Sequence, residues 1–288
     1  ATKTEPAFLQ NENTSVALKS LTGIINSSFF TYYLLQTSSS AGIDRTRVDF
    51  QEIFSAPAIE DINLAECVSM LQQKNSKLRS LHFNDHQRET QRLEIKQLED
   101  KIEARVNESF NITNIEKSLI AYATEISLPI LKRYEETGYG KNNIFRNLLN
   151  DNMGDRSFLS CYAKVFIDHF KHRFNSFERF FYVNIYIAED FIGFQFVVDK
   201  MPDDGNNIFF KETDDSRLFD EIGNLGIHNV TRDLYIQQDV RGFSKNTFYL
   251  IKPNEMKCWH VAVAHHDLLE FIDALAKAEA GISKTADI

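Results

Sequence analysis

Residues 61–110 contain neither glycine nor proline. Within them Leu64, Val68, Leu71, Leu78 and Leu81 form one apolar stripe at helical spacing. Leu93, Leu98, Ile102 and Val106 form a second. Between the stripes His82-Phe83-Asn84-Asp85-His86-Gln87-Arg88 is mostly polar and breaks the register. The spacing predicts two long helices joined at that break. They form either an antiparallel hairpin or a coiled-coil-like arm that pairs with a second copy or another subunit.

The sequence around this stretch changes period twice. Before it, Val16, Leu18, Leu21, Ile24, Ile25, Phe29, Tyr32, Tyr33 and Leu35 recur at helical spacing and predict one buried helix. Thr37-Ser38-Ser39-Ser40-Ala41-Gly42 breaks it, Arg45 to Phe50 alternates like a short strand, and Pro57 closes the segment. After the stretch, Thr113 and Glu116 have capping-box spacing and start a helix that Pro129 should limit. Gly138-Tyr139-Gly140-Lys141-Asn142-Asn143 is the best linker. Residues 157–174 read as a helix, and the period then falls to two at Phe180–Ile187 and Phe191–Val198. Asp203–Asn207 reads as a loop and Ser216–Leu225 as a short helix. Leu234–Val240, Thr247–Ile251 and Lys257–Ala264 read as strands, with Pro253-Asn254-Glu255 as the last hairpin turn and Asp267–Lys277 as a closing helix. The expected class is α+β: a buried helix plus short strand (1–60), a long-helix spacer or hairpin (61–135), and a small α+β domain on a mostly antiparallel sheet (150–282).

Composition excludes several classes. Apolar residues make up 43% and charged residues 25% of 288, as in ordinary globular proteins. With 24 Phe and 10 Tyr there is ample core material, so bulk disorder is excluded. The longest apolar run, Leu21–Leu35, is interrupted by Asn26, Ser27 and Ser28 and is too short to span a bilayer. No membrane partner is expected. Cys67, Cys161 and Cys258 stand far apart, which fits free thiols and a cytoplasmic location. The chain opens on Ala1 without the basic and apolar pattern of a signal peptide, and reads as a C-terminal fragment of something longer. The net charge of −9 argues against coating nucleic acid by charge alone. It is uneven: residues 141–180 carry 7 basic and 4 acidic side chains, whereas residues 181–288 carry 10 and 18.

No Gly-x-Gly-x-x-Gly, phosphate-binding Gly-Lys-Ser/Thr loop, Gly-x-Ser-x-Gly elbow or His-Glu-x-x-His occurs. No metal site is assigned. His82 and His86 have ligand spacing but fall in the polar break, where solvated histidines are the simpler reading. Cys258, His260, His265 and His266 gather around Trp259, and packing around the indole explains them as well as a metal does. Asp239 with Glu255-Met256-Lys257 has the composition of a metal-dependent nuclease site, although Glu255 sits in a predicted turn. His169 and His172 lie beside Lys164, Lys171 and Arg173, which could form a basic, phosphate-contacting helix face or an ordinary solvated one. Arg45 and Arg47 project from one face of the short strand beside a Thr/Ser cluster, a set suited to phosphate oxygens or a guanine edge unless Asp44 and Asp49 neutralise it.

The run Leu21-Thr22-Gly23-Ile24-Ile25-Asn26-Ser27, followed by Thr37-Ser38-Ser39-Ser40-Ala41-Gly42-Ile43-Asp44-Arg45, resembles the end of the target-recognition region of N-6 adenine-specific DNA methylases from restriction-modification systems. Leu98 to Thr113 is similar to the helix that ends many such recognition subunits, with Asn107 and Phe110 where tyrosines are common. Phe248-Tyr249-Leu250-Ile251-Lys252-Pro253-Asn254, followed by Trp259, looks like a tail extension of some large methylase-like proteins. The resemblance implies double-stranded DNA as partner and a DNA-contact role for Ser38, Ser39, Ser40, Arg45 and Arg47. It implies S-adenosylmethionine for the parent enzyme. This chain has neither a Gly-rich cofactor loop nor an Asn/Asp-Pro-Pro-Tyr/Phe motif, so no catalytic residue and no cofactor are assigned to it. Two other readings follow from the residues: a protein-interaction module, and a metal-dependent nuclease in the tail domain.

Overall fold

The structure is a computed structural model that describes residues 12–38, 50–55, 57–80, 85–130, 148–176, 178–200, 202, 205–214, 217–218, 240–244 and 246–285. The class is α+β. The chain divides into two compact units, Ala1–Tyr139 and Gly140–Ile288.

Unit 1 is helical. α1 (Glu12–Ile25) and α2 (Ser28–Thr37) replace the single helix predicted over 15–35. The break lies at Ser27, whose side chain caps α2 by accepting the Phe30 N–H at 3.2 Å and donates to the Ile24 carbonyl at 2.6 Å. A serine that serves both helix ends in this way competes with a continuous helix. α1 is not buried all round: Ile24 is fully buried whereas Leu18 is 45% exposed. Phe50, predicted as the end of a strand, instead begins the short helix α3 (Phe50–Phe54). The rest of that predicted strand lies outside the described residues.

α4 (Ile62–Ser80) and α5 (Asp85–Ser109) form an intramolecular antiparallel hairpin. Its register is pinned at the base by Arg105 on Asp61 (2.7 Å) and further out by Lys74 on Glu94 (2.5 Å). Ile24 of α1 joins Leu64, Val68, Ile102 and Val106 in one buried cluster, so residues on both sides of position 60 share a core. Gly23 makes this approach possible, because a Cβ there would lie 2.9 Å from Leu64 Cδ1 and 3.0 Å from Val68 Cγ2. The capping box forms as the spacing predicts: Glu116 N–H meets Thr113 Oγ1 at 3.3 Å and Thr113 N–H meets Glu116 Oε2 at 2.8 Å, opening α6 (Asn114–Ala121). Pro129 does not end this helix. The chain widens into a π turn over Tyr122–Ser127 and stays helical through 128–130. The wide turn accommodates a ring that would otherwise strike a preceding carbonyl.

Unit 2 packs two helices on one face of a five-stranded sheet. α7 (Met153–Phe174) is followed by β1 (Phe180–Ile187), β2 (Phe191–Asp199), β3 (Ile208–Glu212), β4 (Val240–Ser244) and β5 (Thr247–Pro253), then a 3₁₀ turn (Met256–Cys258) and α8 (Val261–Thr285). The strand order is β3-β1-β2-β5-β4. All pairings are antiparallel except β1 with β3, which run parallel with Val183 opposite Ile208. β3 was not predicted, since its five residues follow a polar Asp/Asn-rich run and form an edge strand. Alternation sends Phe181, Val183, Ile185, Phe194, Phe196, Phe248 and Leu250 toward the helices, where they meet Tyr162, Phe166 and Phe170 of α7 and Phe271 of α8. The opposite face carries a smaller cluster of Tyr186, Phe191, Leu218, Tyr249 and Ile251. Gly242 of β4 lies under the Tyr249 ring, where a Cβ would fall 2.1 Å from the hydroxyl.

The predicted strand over Lys257–Ala264 is a 3₁₀ turn and the first turn of α8, and Pro253-Asn254-Glu255 leads into that turn rather than closing a hairpin. A short apolar run has no period of its own, so strand and helix could not be separated there. Of the strand predicted over 234–240, Val240 is described and opens β4. Of the helix predicted over 216–225, residues 217–218 are described and helical. None of the three cysteines is in a disulfide. Among the described residues no helix is long and apolar enough to cross a membrane.

Candidate nucleic-acid interface and the tail motif

Of the residues that the resemblance singles out, Ser38 is described. It caps the C-terminus of α2, its N–H donating to the Leu34 carbonyl at 2.9 Å. Ser39, Ser40, Arg45 and Arg47 lie outside the described residues. The two ends of the segment that carries them are held together: Tyr33 of α2 donates from its hydroxyl to the Ser55 carbonyl, just after α3, at 3.1 Å. The start of α2 is anchored as well, with the Ser28 N–H and hydroxyl both on Glu103 Oε1 of α5, at 2.6 and 3.1 Å. A carboxylate at this helix end complements the dipole. Phe29 stacks on Phe110 with centroids 4.6 Å apart. The described residues on either side of the Ser/Arg segment are thus tied to each other, and α2 is tied to α5.

The helical base depends on Asp61, which neither spacing nor composition singled out. Burial alone would raise its pKa, but Arg105 Nε (2.7 Å), Ser109 Oγ (2.7 Å) and the Leu64 N–H (3.1 Å) together hold it below the ordinary aspartate value. The folded state therefore favours the carboxylate. Its contribution is present above the unfolded pKa and is lost as pH falls through the folded one. Asp61→Asn removes a charge-assisted N-cap and is expected to cost about 1–2 kcal/mol at neutral pH, and to flatten the acid limb of the stability curve. Urea unfolding followed by far-UV circular dichroism across acid to neutral pH measures both; an unchanged acid limb counts against this role.

Lys164, Lys171 and Arg173 all lie on α7. Lys164 is exposed, Lys171 is paired with Asp168 at 2.7 Å, and Arg173 lies over the Phe174 ring at 5.8 Å. His169 and His172 are exposed, and His169 sits edge-on to Phe170. His86 is exposed on α5, while His82 lies outside the described residues.

The Cys258–His266 cluster resolves into the entry to α8. Trp259 is fully buried against Phe194 (4.6 Å, stacked) and Tyr162. Burial keeps His260 below the ordinary imidazole range, so the ring stays neutral and its Nδ1 accepts the Ala262 N–H at 3.1 Å. Potential ligand atoms of His266, Asp267 and Glu270 lie within 4.8 Å of one another. However, Asp267 already accepts from Tyr162, Lys252 and Arg241 (2.9 Å to Arg241), and Arg241 also reaches Glu270. Two protein cations hold this position, which disfavours a metal. Of the nuclease reading, Glu255 pairs with Lys257 at 2.7 Å, and Asp239 lies outside the described residues.

The Lys252-Pro253-Asn254…Trp259 motif is a structural joint. Lys252 enters the core in the inward register of β5 and pairs with Asp267. The Pro253 carbonyl accepts the Trp259 Nε1–H at 3.0 Å. The buried Asn254 amide accepts the Leu149 N–H (2.9 Å) and donates to the carbonyls of Leu149 (3.0 Å) and Ala188 (2.8 Å). Sequence reading found the motif but not these contacts. The legible signal was a lysine at an inward strand position, which requires a buried anion somewhere. No protein-family model, curated protein or solved structure matches the chain.

Proposed function

We propose that the chain is the DNA-recognition, non-catalytic end of an adenine-specific DNA methylase, with unit 1 presenting the 38–47 segment to duplex DNA. The observation that carries this reading is the Tyr33–Ser55 tie, which holds the two ends of a Ser/Arg-rich segment on a helical base. The resemblance over residues 21–45 and 98–113 supports it. The residues present do not fit S-adenosylmethionine, because the chain contains neither a Gly-rich cofactor loop nor a Pro-Pro motif. Its part is to position the duplex: guanidinium groups of Arg45 and Arg47 on phosphates or a guanine edge, and hydroxyls of Ser38, Ser39 and Ser40 on neighbouring oxygens. The tail's buried polar groups serve packing, so unit 2 receives no chemistry in this reading.

Arg45→Ala with Arg47→Ala is expected to weaken binding to a mixed-sequence duplex and to reduce the slope of log affinity against log salt by about 2, one for each lost phosphate contact. Equal affinity and equal slope for the double variant and the wild type would remove the basis for the assignment.

A further inference from the structure

The charge of the α4–α5 hairpin is segregated along its length. Over residues 72–92, the outer end, five basic side chains (Lys74, Lys77, Arg79, Arg88, Arg92) face two acidic ones (Asp85, Glu89), a net of +3. Over residues 61–71 and 93–109, the base, seven acidic side chains face three basic ones, a net of −4. The base is the part that α1 covers, through Leu64 and Val68. The 19-residue α4 is about 28 Å long, so its outer half projects beyond that cluster.

The chemistry of the outer end is specific as well as basic. Gln72, Asn75, Ser76 and Arg79 follow one another at i, i+3, i+4 and i+7 on a single face of α4, where they line an open depression of about 600 Å³. Amides that match an adenine edge and a guanidinium that matches a guanine edge thus share one solvent-facing stripe. On α5, Arg88 and Arg92 are exposed one turn apart. Arg92 has an exposed, 3.8 Å pairing with Glu89, which a phosphate can displace. Lys74 is engaged with Glu94 and braces the hairpin rather than serving a ligand.

We infer that the outer end of this hairpin is a DNA-binding element in its own right: the Gln72–Asn75–Ser76–Arg79 face of α4 enters the major groove of a B-form duplex, and Arg88 and Arg92 of α5 contact phosphates. A helix with its side chains is about as wide as that groove. The acidic base repels phosphates and confines the contact to the outer end. The element shares its ligand class with the 38–47 segment but none of its residues. An A-form RNA duplex, whose major groove is deep and narrow, is a poor fit.

The test is fluorescence anisotropy of the full chain with a labelled mixed-sequence DNA duplex over a salt series. Arg88→Ala with Arg92→Ala should weaken binding about tenfold and lower the salt slope by about 2, one for each lost phosphate contact. Gln72→Ala with Asn75→Ala should leave the slope unchanged and reduce discrimination among competitor duplexes by about fivefold or more. Because Gln72, Arg88 and Arg92 are exposed and Asn75 is only half-buried, thermal midpoint and helicity should stay close to the wild type. Tip variants that bind like the wild type, beside an Arg45→Ala/Arg47→Ala variant that is weakened, overturn the hairpin assignment and leave the segment assignment standing. The converse leaves the hairpin as the DNA contact. No DNA binding by the wild type at low salt overturns both. Equal affinity for a polyglutamate peptide and for the duplex overturns the hairpin assignment in favour of an acidic protein partner.

Discussion

Asp267→Ala is expected to destabilise unit 2 by about 3–5 kcal/mol, the range for breaking a buried ion pair from one side. Lys252 and Asp267 have side chains only 3% and 2% exposed. The Lys252 ammonium lies over the rings of Tyr162 (5.6 Å) and Trp259 (5.7 Å), with the Cys258 carbonyl at 3.4 Å. Without the carboxylate the buried ammonium is left uncompensated, which is costly. The Tyr162 hydroxyl loses its acceptor in the same step. Arg241 is less affected, since it is a quarter exposed and keeps Glu270. Replacing both members, as in Lys252→Met with Asp267→Leu, should cost much less than Asp267→Ala, because no buried charge is left behind. Trp259 is the sole tryptophan and is buried in unit 2, so its fluorescence during urea unfolding reports the right transition. A loss below about 1 kcal/mol for Asp267→Ala would show that water reaches and solvates the Lys252 ammonium.

Phe166→Ala is expected to cost a similar amount, about 3–5 kcal/mol, for a different reason. The ring is fully buried and stacks on Phe196 at 4.7 Å, meets Phe271 edge-on at 5.7 Å and approaches Tyr162 at 5.8 Å. It thus bridges α7, the sheet and α8. Alanine removes the transferred apolar surface and leaves a cavity among rings held by several other contacts, so collapse is limited. Phe166→Leu keeps much of the volume and should cost under about 1.5 kcal/mol. The same fluorescence assay measures both; equal losses for Ala and Leu would place the cost in lost ring–ring geometry rather than in volume.

Much of this architecture was legible from local pattern. The stripes at Leu64–Leu81 and Leu93–Val106 gave the hairpin helices, because helical periodicity is a property of neighbouring residues. Thr113 and Glu116 gave a helix start, because both groups of a capping box lie within one turn. Phe180–Ile187 and Phe191–Val198 gave two consecutive strands through alternation. The candidate site was less legible. Averaging charge over 61–140 hid the contrast between the two ends of the hairpin, since residues 72–92 and the base nearly cancel in sum.

What remained was decided by tertiary structure. Whether the helices pair with each other or with another subunit turns on contacts such as Lys74–Glu94 and Arg105–Asp61, which join residues 20 and 44 positions apart. Whether Val261–Ala264 is strand or helix turns on the 3₁₀ turn before it and on His260 capping the new helix. That Lys252 is a core residue follows from Asp267 and Tyr162 arriving from α8 and α7. The sequence determined most of the helices and strands, because that preference is local. Partner, register and burial depend on groups distant in the chain, so only the assembled structure decided which charges are braces and which face outward to meet a ligand.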